Sequence, residues 1–89
     1  MIPRNRTATH PGEILREEYF KPLRLKQTEL ARGLGISVNR LNEILREKRG
    51  ITADTAWRLA HHFKCSPEFW MNLQTNYELT RTRPSRTAA

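Results

Sequence analysis

The apolar positions of this chain fall into short runs with the period of a helix, each closed by a glycine, a proline or a capping side chain. In the stretch Gln27 to Arg49, QTELARGLGISVNRLNEILREKR, Leu30, Ala31 and Leu34 share one helical face while Glu29 and Arg32 point elsewhere. Gly35 follows the last periodic residue, where a left-handed helix end needs no Cβ, and predicts a stop. Ile36 offers an apolar plug. Ser37 is a good N-cap, because its hydroxyl accepts from an otherwise unpaired backbone N–H. Beyond it Leu41, Ile44 and Leu45 form one stripe, and about 100° per residue turns Asn39, Asn42, Glu43 and Arg46 to the opposite side.

Two helices at about 27–34 and 38–47, joined by about three residues, are the pattern of a helix-turn-helix unit. The second would be the recognition helix, with its polar face toward a ligand.

The same punctuation orders the rest. Residues 1–9, MIPRNRTAT, have no periodicity and predict a mobile basic arm. Pro11 and Glu13 suit the start of a first helix at about 11–20, which Pro22 ends. Its apolar residues are Ile14, Leu15, Tyr19 and Phe20; Glu13, Arg16, Glu17 and Glu18 make the exposed side mostly acidic. Lys26 is a poor cap for the helix that follows. Gly50 breaks the chain after Glu47, Lys48 and Arg49, Ile51 plugs the loop, and Thr52 caps a fourth helix with Asp54 in its first turn. There Ala56, Leu59, Ala60 and Phe63 form a core stripe. Ser66-Pro67-Glu68 opens a fifth helix to about 78. Its wide apolar face exceeds what docking on so small a core requires, which predicts a subunit contact through Trp70, Leu73 and Tyr77. From Thr80 the chain is polar and basic. With no strand pattern and no repeat, the expectation is all-α: a compact five-helix domain at 10–79 between a flexible arm at 1–9 and a flexible tail at 80–89.

Composition narrows the function. A single domain of 89 residues buries about 60 to 65% of its unfolded surface, so a large enclosed active site is disfavoured and an enzyme is the least expected reading. No cofactor is implied. Sixteen basic against nine acidic residues give +7, which points to an anionic partner: nucleic acid first, an acidic protein or anionic membrane after it. The charge is uneven. Residues 21–50 hold eight cations against three carboxylates, whereas residues 10–20 hold one arginine against three glutamates. The first helix therefore cannot favour DNA. One cysteine, Cys65, makes no internal disulfide, and no stretch approaches the ~18 apolar residues of a membrane span, so the chain is read as cytoplasmic. His61, His62 and Cys65 lack a fourth ligand at any regular spacing, and His62 points about 100° away, so no metal site is expected.

On the recognition helix Asn39, Asn42 and Glu43 are the candidate base readers: Asn bonds adenine with two hydrogen bonds, and Glu accepts from cytosine N4. Val38, at the tip, is placed to touch a thymine methyl or to support the turn. Arg40, Arg46, Lys48 and Arg49, with the Ser37 hydroxyl or N–H, are the phosphate candidates. A solvated helix face carries the same residue types. It is the cap, the turn and four clustered cations that favour contact. Arg4, Arg6, Arg81, Arg83 and Arg86 serve nonspecific attraction or solubility equally well.

ELARGLGIS and the helix after it resemble the lambda-repressor-like (Xre-type) helix-turn-helix domain, over about residues 12–73. A narrower likeness is carried by HPGEILREEYFKPL, by RGIT with TAWRLA, and by SPEFWMNLQTNYEL. In that order they are similar to the HigA-type antitoxins of toxin–antitoxin modules, across roughly 10–79. The resemblance implies a five-helix domain, homodimerisation, and autorepression through a palindromic operator. It also implies neutralisation of a small basic HigB-like toxin that cleaves ribosome-associated mRNA. It sets Gln27 beside the DNA backbone. Glu13, Glu17 and Glu18, by their own charge, form an acidic face to offer such a toxin, though a solvated helix face carries the same residues. Two departures stand out. Glu47 occupies the place where related sequences end the recognition helix with glycine, so that helix either runs on toward Lys48 or ends in a reshaped turn. Residues 1–9 supply no long toxin-wrapping segment. The alternatives are a free-standing Xre-type repressor without a toxin and a toxin-neutralising module that binds DNA weakly.

Overall fold

Helix starts in this protein are made by side chains that accept orphan N–H groups. The computed structural model describes residues 8–84, so positions 1–7 of the expected arm and 85–89 of the expected tail lie outside the described residues. Ser37 Oγ accepts from the Arg40 N–H at 3.0 Å, Thr52 Oγ1 from Thr55 at 3.3 Å, and Ser66 Oγ from Phe69 at 3.1 Å. All three are the caps the sequence implies. A fourth was not legible: His10 Nδ1 accepts from the Gly12 N–H at 2.8 Å. Lys26, as expected, provides no side-chain cap.

Five helices form among the described residues. α1 starts as an α-helix (Pro11–Ile14) and continues without a break as a π-wound turn (Leu15–Phe20), followed by α2 (Gln27–Leu34), α3 (Val38–Leu45), α4 (Ala53–Phe63) and α5 (Pro67–Arg81). Among the described residues there is no strand. The π winding corrects the expectation of a regular helix over 11–20. The Lys21 N–H donates to the Arg16 carbonyl five residues back, at 2.9 Å. In such a turn residues four and five along share a face, so Leu15, Tyr19 and Phe20 all reach the core together. Two boundaries also move. α3 ends at Leu45 rather than about 47, and α5 continues to Arg81, past the expected domain end at 79. The Ala8 N–H donates to Thr80 Oγ1 at 2.8 Å, which ties the chain before α1 to the end of α5.

The core is built around α3. Leu41 and Ile44 are fully buried and join Leu15, Leu30, Leu34, Leu59 and Trp70 in one cluster. Each such side chain removed from water contributes about 1.5–3 kcal/mol. Tyr19 bridges Phe63 and Trp70, with ring centroids 4.6 and 5.6 Å away. At Gly12 the α1 backbone lies so close to α3 that a Cβ would stand 1.9 Å from the Ile44 carbonyl oxygen. Only glycine allows that approach, and it holds α3 from behind so that its other face is free.

Candidate nucleic-acid interface

The left-handed turn at Gly35 (φ 75°) aims α3. Its N–H bonds the Ala31 and Arg32 carbonyls and the Ile36 N–H bonds Ala31 at 3.0 Å, which closes α2 and sends the chain into Ser37. Val38 and Asn39 then stand exposed at the tip of α3, with Asn42 and Glu43 half-buried behind them. Asn42 Nδ2 donates to Gln27 Oε1 at 3.3 Å, so the first residue of α2 and the polar face of α3 form one polar ridge. Asn39 makes no such bond and presents both donor and acceptor outward.

The cations sort differently from the sequence reading. Arg46, Lys48 and Arg49 are exposed beside the end of α3, and Arg49 pairs with Glu43 at 2.8 Å. Arg40 is among the residues expected at a phosphate. Its guanidinium turns to α4, donating to Asp54 Oδ2 at 3.1 Å and to Thr55 Oγ1, and so stitches the two helices together. Asp54 also takes Arg58 Nε at 2.9 Å. Arg58 first, then Arg40, holds the Asp54 carboxyl below its usual value. Arg58, not singled out by the sequence, also caps α2 by donating to the Leu34 and Gly35 carbonyls at 2.9 and 3.2 Å.

The far end of α3 resolves the departure at Glu47. Glu47 adopts φ 62°, its N–H bonds the Ile44 carbonyl, and the Lys48 N–H bonds Glu43 at 2.8 Å. This is the same closure as at Gly35, made with a side chain in the left-handed region. Arg16 supports it from α1: it pairs with the Glu47 carboxylate at 3.1 Å and donates to the Leu45 carbonyl. Periodicity alone places Arg16 among the exposed residues of α1, because a partner 31 positions away carries no local signal.

Glu13, Glu17 and Glu18 are exposed on α1, with Glu17 bound by Lys21 at 2.9 Å and Arg16 at 3.0 Å. Those two hydrogen bonds, Lys21 first, lower the Glu17 pKa. On α5 the expected subunit contact is corrected at Trp70. It is 0% exposed, with its Nε1–H on Cys65 Sγ at 3.2 Å, and has no surface to give a second copy. Leu73 and Tyr77 are half-buried, and the outward side adds Phe69 (41% exposed) and Leu79 (49%). Trp57, 66% exposed on α4, was also missed. Its position one residue past Ala56, about 100° off the core stripe, was the available signal.

Residues 17–70 match the helix-turn-helix family. The chain belongs to that Xre-type family, in its HigA-like branch. It is 57% identical over 72 residues to virulence-associated protein I of Dichelobacter nodosus, covering 81% of this chain and 67% of that one. Among solved structures, Pseudomonas aeruginosa antitoxin HigA with the higBA promoter superposes with a TM-score of 0.81 at 47% identity, over 83% of this chain and 80% of that one. The antitoxin GraA in complex with its operator gives 0.86 at 40% identity, over 99% and 89%. Within this Xre-type frame α3 is the second helix of the motif. No helix among the described residues is long and apolar enough to cross a membrane.

Proposed function

We propose that this cytoplasmic protein is an antitoxin, not an enzyme: a dimer that binds palindromic operator DNA, represses its own operon and neutralises a HigB-like ribonuclease toxin. The observation that carries the DNA reading is the exposed tip of α3, Val38 and Asn39, continued by the Gln27–Asn42 ridge and flanked by Arg46, Lys48 and Arg49. The HigA and GraA relatives solved with promoter or operator DNA support it. Asn39, Asn42 and Glu43 read bases, Val38 meets a thymine methyl, and Gln27, Ser37 and the three cations position the helix on phosphates. Dimerisation uses the outer side of α5 through Leu73 and Tyr77, with Phe69 and Leu79 in the place expected of Trp70. Positions 69–77 hold no charged residue, which suits a buried contact. The two α3 helices then enter successive major grooves about 34 Å apart. Glu13, Glu17 and Glu18 offer a basic toxin an acidic face on a chain that is otherwise cationic.

Footprinting on DNA upstream of the chain's own gene tests the first half of this reading. Two symmetric protected half-sites one helical turn apart are expected, and protection without symmetry would contradict the dimer. Co-expression with the adjacent reading frame tests the second half. The triple variant Glu13→Lys, Glu17→Lys, Glu18→Lys is expected to lose the copurifying toxin while retaining the footprint. Retained copurification moves the toxin site elsewhere. If no toxin copurifies with the wild-type chain, the function reduces to a free-standing repressor.

A further inference from the structure

Where the end of α5 passes the loop between α3 and α4, it leaves a cleft of about 240 Å³. Lys48 and Arg49 from the loop, Arg81 from α5, and the His10 and Tyr77 rings line it. Two carboxylates also border the cleft; Glu47 is neutralised by an ion pair, and Glu78 keeps its charge. Glu47 is held by Arg16 at 3.1 Å, and Glu78 accepts from the Gln74 amide at 2.8 Å. Arg49 pairs with Glu43, but among the described residues neither Lys48 nor Arg81 has a carboxylate partner. Arg81 rests over the Tyr77 ring, 5.7 Å from its centroid.

His10 gives a second, independent indication. It is only 4% exposed and lies edge-on to Tyr77 at 4.7 Å. Its Nδ1 accepts from the Gly12 N–H, so the neutral ring carries its proton on Nε2 and has a donor left over. Burial holds its pKa below the usual 6.5, which keeps that neutral form at physiological pH. The cleft thus gathers an ammonium, a guanidinium and an imidazole N–H.

We propose that this cleft binds a phosphate group, through Lys48, Arg81 and the His10 Nε2–H. The donors suit the tetrahedral oxygens of a phosphate better than a cation or a neutral ligand. Two sources share that chemistry. One is a backbone phosphate of the operator, since Lys48 directly follows the turn that ends α3. The other is a free phosphorylated small molecule. Only the first rests on the DNA-binding reading.

Side-chain NMR of the full chain during titration with inorganic phosphate, at constant pH and ionic strength, tests the site. Saturable shifts at the His10 imidazole are expected, absent in Lys48→Gln/Arg81→Gln. A response no larger than that to chloride overturns the proposal. The salt dependence of operator affinity separates the sources. For a DNA phosphate, the double variant lowers the slope by about 0.9 for each phosphate it no longer neutralises, leaving sequence preference intact. An unchanged slope beside a preserved phosphate response assigns the site to a free ligand. A shallower slope without a phosphate response reduces Lys48 and Arg81 to ordinary surface contacts and overturns the cleft. Wild-type protein that answers phosphate but never binds operator sinks the DNA reading and keeps the site.

Discussion

α2 and α3 end in the same backbone closure with opposite residue choices. Gly35 (φ 75°) occupies the left-handed position after α2, and Glu47 (φ 62°) occupies it after α3. A side chain there costs about 1–2 kcal/mol, so the two ends are held by different means. The α2 end has no strain and is capped by Arg58 on the Leu34 and Gly35 carbonyls. The α3 end keeps the strain and gains a carboxylate that Arg16 grips while capping Leu45. One turn is set by conformation, the other by a contact across the fold, and that contact fixes α1 against α3.

Three substitutions sharpen the contrast, taken in order of effect. Gly35→Ala is expected to lose about 2 kcal/mol in urea unfolding, because the new Cβ is strained and would stand 2.6 Å from Arg58 Nη1. A loss below about 0.5 kcal/mol would show that φ is not the constraint there. Arg16→Ala removes the support at Glu47 and uncaps Leu45, for an expected loss of about 1 kcal/mol. Wild-type stability in that variant would mean the α3 turn holds itself. Glu47→Gly should fall within about 0.5 kcal/mol of wild type, since relief of strain is offset by losing a half-exposed ion pair and by a more flexible unfolded chain. A clear stabilisation would show that the Arg16 pair contributes nothing.

The same contrast marks what the sequence could and could not tell. Ser37, Thr52, Ser66 and Gly35 act on neighbours within about three residues, so their roles were legible from local pattern. The all-α architecture followed from them. Arg16, Arg58 and Arg40 act across 31, 24 and 15 positions, and composition alone could only count them as surface charge. Arg40 lies on a cationic stretch, and its contacts to Asp54 and Thr55 carry no local signal. Trp70 failed for a related reason, since periodicity gives a helix face but not how deep that face sinks. The π-wound turn within α1 leaves no mark in the apolar spacing that separates it from a regular helix. The tip of α3 was legible, because a cap followed by polar residues opposite a core stripe leaves Asn39 little else to face.

In the proposed function α3 reads sequence from this tip. Fluorescence anisotropy of the Asn39→Ala variant on operator and on scrambled DNA, at one fixed salt concentration, tests it most directly. Base readout by Asn39 predicts a loss on operator of about 1–3 kcal/mol with scrambled DNA nearly unaffected. An equal loss on both would take Asn39 out of the readout and leave α3 a backbone contact alone.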